Sequence, residues 1–313
     1  MTLTDAPGSH SLPSSPSLPR HRGRLVVLSV IAGAVAAALW SFRFVDSVIG
    51  DNVANTLLGY DAKGTAISGV VAGAVFAFVS GLAGTFTACN VAAFGAVVPL
   101  VREGDSWRDR LRETVRPLSR LAIGMIVVSG VYGAVGALFG DRLPQLSTAT
   151  VGDGLPVRLI QASVVFGIIG LAFIWLGLAS IRLLPDPLAR LERRFPNARL
   201  VVLGALVGGF LIGRPFPLFH KLFSYAAETH NPLYGAAVFI LQSLGNIVVM
   251  AVLFAALMLV ARGRFARWMT AKPSRMVTVT AVAFIVAGTF TFLYWDVRLP
   301  AMFGYGWYPT ASW

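Results

Sequence analysis

Charged residues are scarce in this chain of 313 residues, at 13% of the total against 56% hydrophobic residues. A soluble domain of this size carries about 25% charged residues. About half that density leaves too few charges to cover a surface in water, and the mean hydropathy is +0.72. The composition therefore excludes an ordinary soluble globular protein.

Cysteine is almost absent as well, with Cys89 as the single example. One cysteine excludes an internal disulfide framework. The sequence also lacks a Walker loop, the glycine pattern of a dinucleotide fold and an HExxH signature. His220, Glu228 and His230 lie close together but fit no metalloprotease spacing, so we expect no metal and no cofactor.

Basic residues exceed acidic ones by 26 to 14, which gives a formal charge of +12. In a soluble protein such an excess indicates nucleic acid as a partner. Here the basic residues lie between apolar runs, where the positive-inside rule explains them better. We expect the lipid bilayer as a partner and no nucleic acid.

Seven apolar runs follow one another along the chain, and a helix needs about 20 apolar residues to cross the hydrocarbon of a bilayer. The runs are residues 25–42, 66–100, 121–139, 159–183, 200–227, 233–260 and 276–295. Residues 1–24 are rich in Ser and Pro and predict a disordered tail. The first run is interpreted as an N-terminal anchor, with a cleaved signal peptide as the alternative.

The distribution of Lys and Arg predicts the orientation of these runs. Arg182, Arg214 and Lys221 lie inside runs and are counted with the connections that follow them. On this count the N-terminal tail and the connections after the second, fourth and sixth runs carry 19 Lys and Arg, and the other connections with the C-terminal tail carry 7. The bias alternates at every connection, which places the N-terminus in the cytoplasm and the C-terminus outside a cytoplasmic membrane. Residues 296–313 are predicted to form an extracytoplasmic tail rich in aromatic residues.

Two of the runs contain interruptions at corresponding places. The second run is 35 residues long, about 50 Å as a straight helix, and its apolar character fails at residues 81–90. The fifth run contains Pro215 and Pro217 within residues 212–221, and each proline removes a backbone donor. We therefore expect a broken helix in each run.

The second and fifth runs each open a group of three, and the predicted orientation makes them cross the membrane in opposite directions. This is the pattern of an inverted-topology repeat, in which broken helices at equivalent positions indicate a site near mid-membrane. The predicted fold is thus an all-α membrane bundle of seven transmembrane helices. It consists of one anchor and a 3+3 inverted-repeat core over residues 66–295.

The residues at the two interruptions resemble the CcdA/DsbD transmembrane family of cytochrome c biogenesis and thiol–disulfide transfer. The first half reads SGLAGTFTACNVAAFGAVVP, in which Cys89 matches the first cysteine of that family and Ala88 replaces the preceding proline. The second half reads GALVGGFLIGRPFPLF, in which Phe216 occupies about the place of the second cysteine. The resemblance implies transfer of reducing equivalents across the membrane, but the missing thiol leaves Cys89 dependent on a partner thiol.

Ionisable and polar groups within membrane spans are costly and often functional. Cys89 is the candidate reactive thiol, with a small buried hydrophobe as the alternative. The candidate pathway residues surround the two interruptions and include one pair on the sixth run: Thr85, Thr87, Asn90, Arg214, Pro215, Pro217, His220, Lys221, Gln242 and Asn246. The cations either line a cleft or reach the outer headgroups by snorkelling. The Gln242–Asn246 pair either lines that cleft or bonds between helices.

Three functions fit this pattern. The first is a thiol–disulfide conduit that works through Cys89 and a thiol-bearing redox protein. The second is a carrier for a small, anionic solute, with Arg214 and Lys221 as attracting charges. The third is a structural or assembly subunit whose interruptions only shape packing. The family resemblance favours the first function, and the missing second cysteine favours the second.

Overall fold

The computed structural model describes residues 18–19, 21–41, 43–84, 107–152, 154–214, 216–260, 268 and 271–310. The described residues are mostly helical, as the sequence predicts. Strand is confined, in this part of the chain, to the two-residue antiparallel pair β1 (Thr150–Val151) and β2 (Leu155–Pro156).

Eleven α-helices are present in the described residues: α1 Arg22–Leu39, α2 Asp51–Leu58, α3 Val70–Ala83, α4 Trp107–Phe139, α5 Val157–Ser180, α6 Ala189–Arg194, α7 Ala198–Gly209, α8 Pro217–Glu228, α9 Pro232–Val260, α10 Pro273–Phe292 and α11 Leu299–Met302. Two π-helical segments, Arg43–Gly50 and Leu293–Arg298, and a 3₁₀ turn, Gly140–Arg142, complete the helical structure of these ranges.

Five helices within the described ranges are long and apolar enough to cross a membrane: Arg22–Leu39, Val115–Phe139, Val157–Ser180, Pro232–Leu253 and Ser274–Met302. They correspond to the first, third, fourth, sixth and seventh apolar runs. The second and fifth runs contain the shorter apolar helices α3, of 14 residues, and α7, of 12 residues. A multi-pass membrane protein follows from these helices, whereas the count of seven spans stays a prediction.

The C-terminal end of the last span differs from the sequence expectation, which placed it at Trp295. The helix continues through its π-helical segment and α11 to Met302. Arg298 makes this continuation favourable because its guanidinium donates 2.6 Å hydrogen bonds to the carbonyls of Ala37 and Trp40 at the end of α1. A buried arginine is thereby paired with carbonyls that a helix C-terminus leaves without partners.

The helices α3 and α9 cross at backbone contact because each has glycine at the crossing. A Cβ added to Gly81 of α3 would lie 2.0 Å from the carbonyl oxygen of Gln242 in α9. A Cβ added to Gly245 of α9 would lie 2.2 Å from the carbonyl oxygen of Phe78 in α3. Neither position has room for any side chain, which is typical of close helix packing in membranes.

The helices α4 and α7 cross in the same way. A Cβ on Gly204 of α7 would lie 1.9 Å from the carbonyl oxygen of Leu121 in α4, and one on Gly124 of α4 would lie 2.0 Å from that of Val201 in α7. Adding 123 to the numbers of the α3 contact residues, Phe78 and Gly81, gives those of α7, Val201 and Gly204. Adding 121 to the numbers of the α4 contact residues, Leu121 and Gly124, gives those of α9, Gln242 and Gly245. The two crossings are therefore equivalent in sequence position and in contact.

Two further helix pairs run antiparallel. In the α4–α9 pair, a Cβ on Gly133 or Gly235 would lie 2.3 Å from the carbonyl oxygen of the other glycine, and the hydroxyls of Ser129 and Ser243 are hydrogen-bonded. In the α5–α10 pair, Gly170 and Gly288 contact each other in the same reciprocal manner, at a shift of 118 residues. Each helix of the group α3–α5 thus has a counterpart among α7, α9 and α10.

The apolar core forms two clusters on either side of the connection between α7 and α8. The first cluster joins α4, α5, α7 and α10 and includes the buried Phe173 and Phe210. The second joins α3, α8 and α9 and includes the buried Phe216, Phe219 and Phe223. Because Phe210 belongs to one cluster and Phe216 to the other, the connecting segment lies between them and is held at both ends.

Candidate functional site

The fifth apolar run is interrupted, as its prolines predict. Helix α7 ends at Gly209, the chain is non-helical from Phe210 to Arg214 and at Phe216, and α8 begins at Pro217. Pro217 lies at the first helical position, where its missing N–H leaves no bond unmade. The broken helix predicted here is therefore confirmed.

At this interruption, side chains from neighbouring elements donate the hydrogen bonds that helical N–H groups would otherwise supply to the backbone carbonyls. The carbonyl oxygen of Ile212 accepts hydrogen bonds from Gln161 Nε2 at 2.8 Å and from Tyr132 Oη at 3.4 Å. The carbonyl oxygen of Arg214 accepts one from Gln145 Nε2 at 2.9 Å. Non-helical backbone is thus satisfied by side chains, as it must be away from water.

Arg214 joins this interruption to the other half of the chain. Its guanidinium donates a 2.6 Å hydrogen bond to the carbonyl oxygen of Gly84, the C-cap residue directly after α3. The same guanidinium lies 5.3 Å from the centre of the Phe216 ring. The end of α3 and the break between α7 and α8 consequently meet at one cation.

Lys221 lies one turn further along α8 and contacts a different part of the protein. Its ammonium donates hydrogen bonds to the carbonyls of Ala62, at 2.7 Å, Lys63, at 3.0 Å, and Thr65. These carbonyls belong to the loop between α2 and α3. An ammonium has three donors, so this arrangement uses all of them to hold the loop.

The remaining described site residues lie on α8 and at the α3–α9 crossing. His220 is half-buried on α8, and its backbone N–H bonds to the carbonyl of Phe216. Gln242 is buried on α9 and donates from Nε2 to Ser80 Oγ of α3 at 3.1 Å, which is the interhelical bond expected as one role for this residue. Asn246, one turn on, is 9% exposed and faces the same crossing.

Five of the predicted site residues lie outside the described residues: Thr85, Thr87, Cys89, Asn90 and Pro215. Their placement, and with it the break predicted in the second run, stays a prediction. Within the described ranges, no group of three or more His, Cys, Asp or Glu could hold a metal ion.

Phe216 occupies the place at which the family resemblance implies a second thiol. Its side chain is only 3% exposed and packs in the apolar cluster with α8. A Cβ on Gly50 would lie 3.1 Å from the Phe216 ring, so the π-helical segment after α1 also covers it. This position is a packing position in the present chain.

Sequence reasoning missed the residues that satisfy the interruption and one buried acid. Gln145, Gln161 and Tyr132 come from three separate segments, so their convergence has no local signal in the sequence. Asp296 was assigned to the tail, yet it lies in the π-helical segment and its Oδ2 is buried without a hydrogen bond in the described structure. The available signal in the sequence was an acidic residue directly after an apolar run.

No protein-family model, curated protein or solved structure matches this chain. The resemblance to the CcdA/DsbD family therefore stays a prediction that depends on the residues around Cys89 and Phe216.

Proposed function

We propose that this protein spans the cytoplasmic membrane seven times, with its N-terminus in the cytoplasm, and that its core is an inverted repeat of two three-helix halves. The alternating Lys and Arg content supports the orientation. The equivalent glycine crossings support the repeat, since sequence shifts of 118 to 123 residues relate α3, α4 and α5 to α7, α9 and α10.

The antiparallel pairs support inversion in particular. A two-fold axis that exchanges α4 with α9 and α5 with α10 must be perpendicular to these helices, because the helices of each pair run in opposite directions. For helices that cross a bilayer, such an axis lies in the membrane plane. This is the symmetry of secondary transporters whose substrate site lies where interrupted helices of both halves meet.

The function that this geometry supports best is transport of a small anionic solute. The observation that carries it is the hydrogen bond between Arg214 and the Gly84 carbonyl, at the junction of the two halves. Helix α8 also begins there with no side chain capping its N-terminus. An arginine and the positive end of a half-helix dipole together favour an anion.

The test is anion uptake into proteoliposomes that contain the full chain, with chloride, sulfate, phosphate and acetate as probes. We expect saturable uptake of at least one anion and a loss of about tenfold or more in the Arg214→Gln variant, the scale of a lost charged hydrogen bond. Arg142→Gln, which removes an exposed arginine, is the matched control and should leave uptake unchanged.

Arg214→Lys separates charge from geometry in the same assay. Lysine keeps the charge but loses the planar fork of donors, so we expect partial uptake. Absence of saturable uptake of all four anions, or equal uptake by Arg214→Gln and the wild type, contradicts the carrier proposal.

Thiol exchange through Cys89 is a second candidate because Arg214 bonds to the residue five positions before that cysteine. In this reaction the Cys89 thiolate attacks a disulfide of a partner protein and forms a mixed disulfide. The second sulfur of the partner leaves as a thiolate. A thiolate of a second, dithiol protein then attacks the Cys89 sulfur, which releases the first partner as a reduced dithiol and leaves Cys89 joined to the second protein. The other thiolate of that protein attacks this new disulfide, so that the second protein leaves with an internal disulfide and Cys89 is restored. Because Phe216 replaces the second thiol, the chain has no internal disulfide step.

Maleimide labelling and a diagonal gel distinguish this candidate from the carrier. A reactive Cys89 should be labelled in intact cells and should yield a mixed disulfide that the Cys89→Ser variant lacks. Labelling of Cys89 only after denaturation contradicts thiol exchange and leaves the anion assay unaffected.

A further inference from the structure

A groove of about 430 Å³ runs between the anchor helix α1 and helix α10. Volumes of this size are typical of sites for small ligands. Its lining is apolar along most of its length and basic at the end where α1 begins: Leu25, Leu28, Ala32 and Val282, then Arg24 and His21. Ser29, which also lines it, donates its hydroxyl to the carbonyl of Leu25, so this wall presents no free donor.

The basic end of the groove has no acidic partner in its own helix. The first turn of α1 contains no acidic residue, and no side chain caps its N-terminus. Arg22 donates to the carbonyl of Ile181 at 3.2 Å, whereas the Arg24 side chain is exposed at the groove. Positive charge and uncapped N–H groups thus lie at one end of the apolar groove.

We infer that this groove binds one anionic phospholipid. The acyl chain lies along Leu25, Leu28, Ala32 and Val282, and the phosphate is bound by Arg24 and His21 at the start of α1. Complementarity of charge selects an anionic headgroup, and the apolar wall selects a lipid over free phosphate. The lipid fills the space between α1 and α10 on the N-terminal side of their close contact at Gly33, where an added Cβ would lie 2.8 Å from the carbonyl oxygen of Val286. This inference does not depend on what the core carries.

Native mass spectrometry of the full chain in detergent tests this assignment, with phosphatidylglycerol and phosphatidylcholine as probes. We expect one phosphatidylglycerol per chain and weaker binding of phosphatidylcholine. Arg24→Gln should weaken phosphatidylglycerol about fivefold, the effect of one basic group near a membrane surface. Val282→Trp fills the groove and should remove binding of both lipids.

Two control variants make the test specific. Arg190→Gln removes an exposed arginine outside the groove, and Val27→Trp adds bulk to the exposed face of α1, so neither should change lipid binding. Equal binding of both lipids, or equal losses in Arg24→Gln and Arg190→Gln, overturns the assignment. Unchanged lipid binding in a folded Val282→Trp variant also overturns the assignment, and a protein segment is then the alternative occupant of the groove.

Discussion

The α4–α7 crossing gives a quantitative prediction for a single methyl group. Real Cβ atoms essentially never lie closer than 3.0 Å to a non-bonded heavy atom of another segment, and a Cβ on Gly204 would lie 1.9 Å from the Leu121 carbonyl oxygen. The obstructing atom is a backbone oxygen, which cannot rotate away as a side-chain atom can. The Gly204→Ala substitution therefore requires the two helices to separate by about 1.1 Å.

The cost of that separation follows from two opposing effects. Overpacking a close contact costs about 1–3 kcal/mol. Alanine has the better helix propensity, which offsets up to about 1 kcal/mol of this. We therefore expect Gly204→Ala to lower the free energy of unfolding by about 1–2 kcal/mol. Gly81→Ala should cost about as much, because its added Cβ would lie 2.0 Å from the Gln242 carbonyl oxygen.

The assay is unfolding of the detergent-solubilised chain by titration with dodecyl sulfate. Gly209→Ala, in the same helix α7, is the matched control because its Cβ would meet only the terminal methyl of Ile169, at 3.3 Å. That methyl can move, so the control should be as stable as the wild type or up to about 1 kcal/mol more stable. Equal stability of Gly204→Ala and Gly209→Ala would refute the reasoning.

Two further predictions concern cations that bind backbone carbonyls. Lys221→Met removes the three hydrogen bonds that hold the loop before α3, so limited proteolysis should cut this loop faster. Lys63→Met is the control, because it removes only an exposed ion pair with Asp51 and should have little effect on the cleavage rate. Arg298→Met removes both bonds to the end of α1 and should lower the free energy of unfolding by about 2–3 kcal/mol; an unchanged value in the same titration would contradict the role of Arg298 in docking α1.

The sequence was sufficient to predict a helical membrane protein and the position of one interruption. Apolar runs of about 20 residues have few alternatives to helices in a bilayer, and Pro217 can begin a helix but not continue one. Both signals are local, so they can be read from neighbouring residues. The break near Cys89 depends on weaker signals from Gly and Thr, and it lies outside the described residues.

The partners of the interruption could not be predicted because they depend on tertiary contacts. Gln161 appears in the sequence as one polar residue at the start of an apolar run, and nothing near it indicates the carbonyl of Ile212. Lys221 also has partners that the sequence does not indicate. Its charge next to a broken helix indicated a solute site, whereas the fold directs its ammonium to the loop before α3.

The apolar pattern also placed the end of the last span too early. The seventh apolar run ends at Trp295, so the residues after it were assigned to a tail. In the structure Arg298 is 6% exposed and paired with carbonyls of α1, which lets the helix continue to Met302. An apolar pattern cannot distinguish an arginine that is paired inside the bundle from one in water.

The most direct test of the inverted repeat is the sidedness of the two positions at which its halves begin. In a Cys89→Ser background, single cysteines are introduced as Ser68→Cys, before α3, and Asn197→Cys, before α7; both positions are exposed. An impermeant maleimide is then applied to intact and to permeabilised cells. We predict that Ser68→Cys is labelled in intact cells and that Asn197→Cys is labelled only after permeabilisation. Labelling of both from the same side would contradict the inverted repeat and the carrier site derived from it.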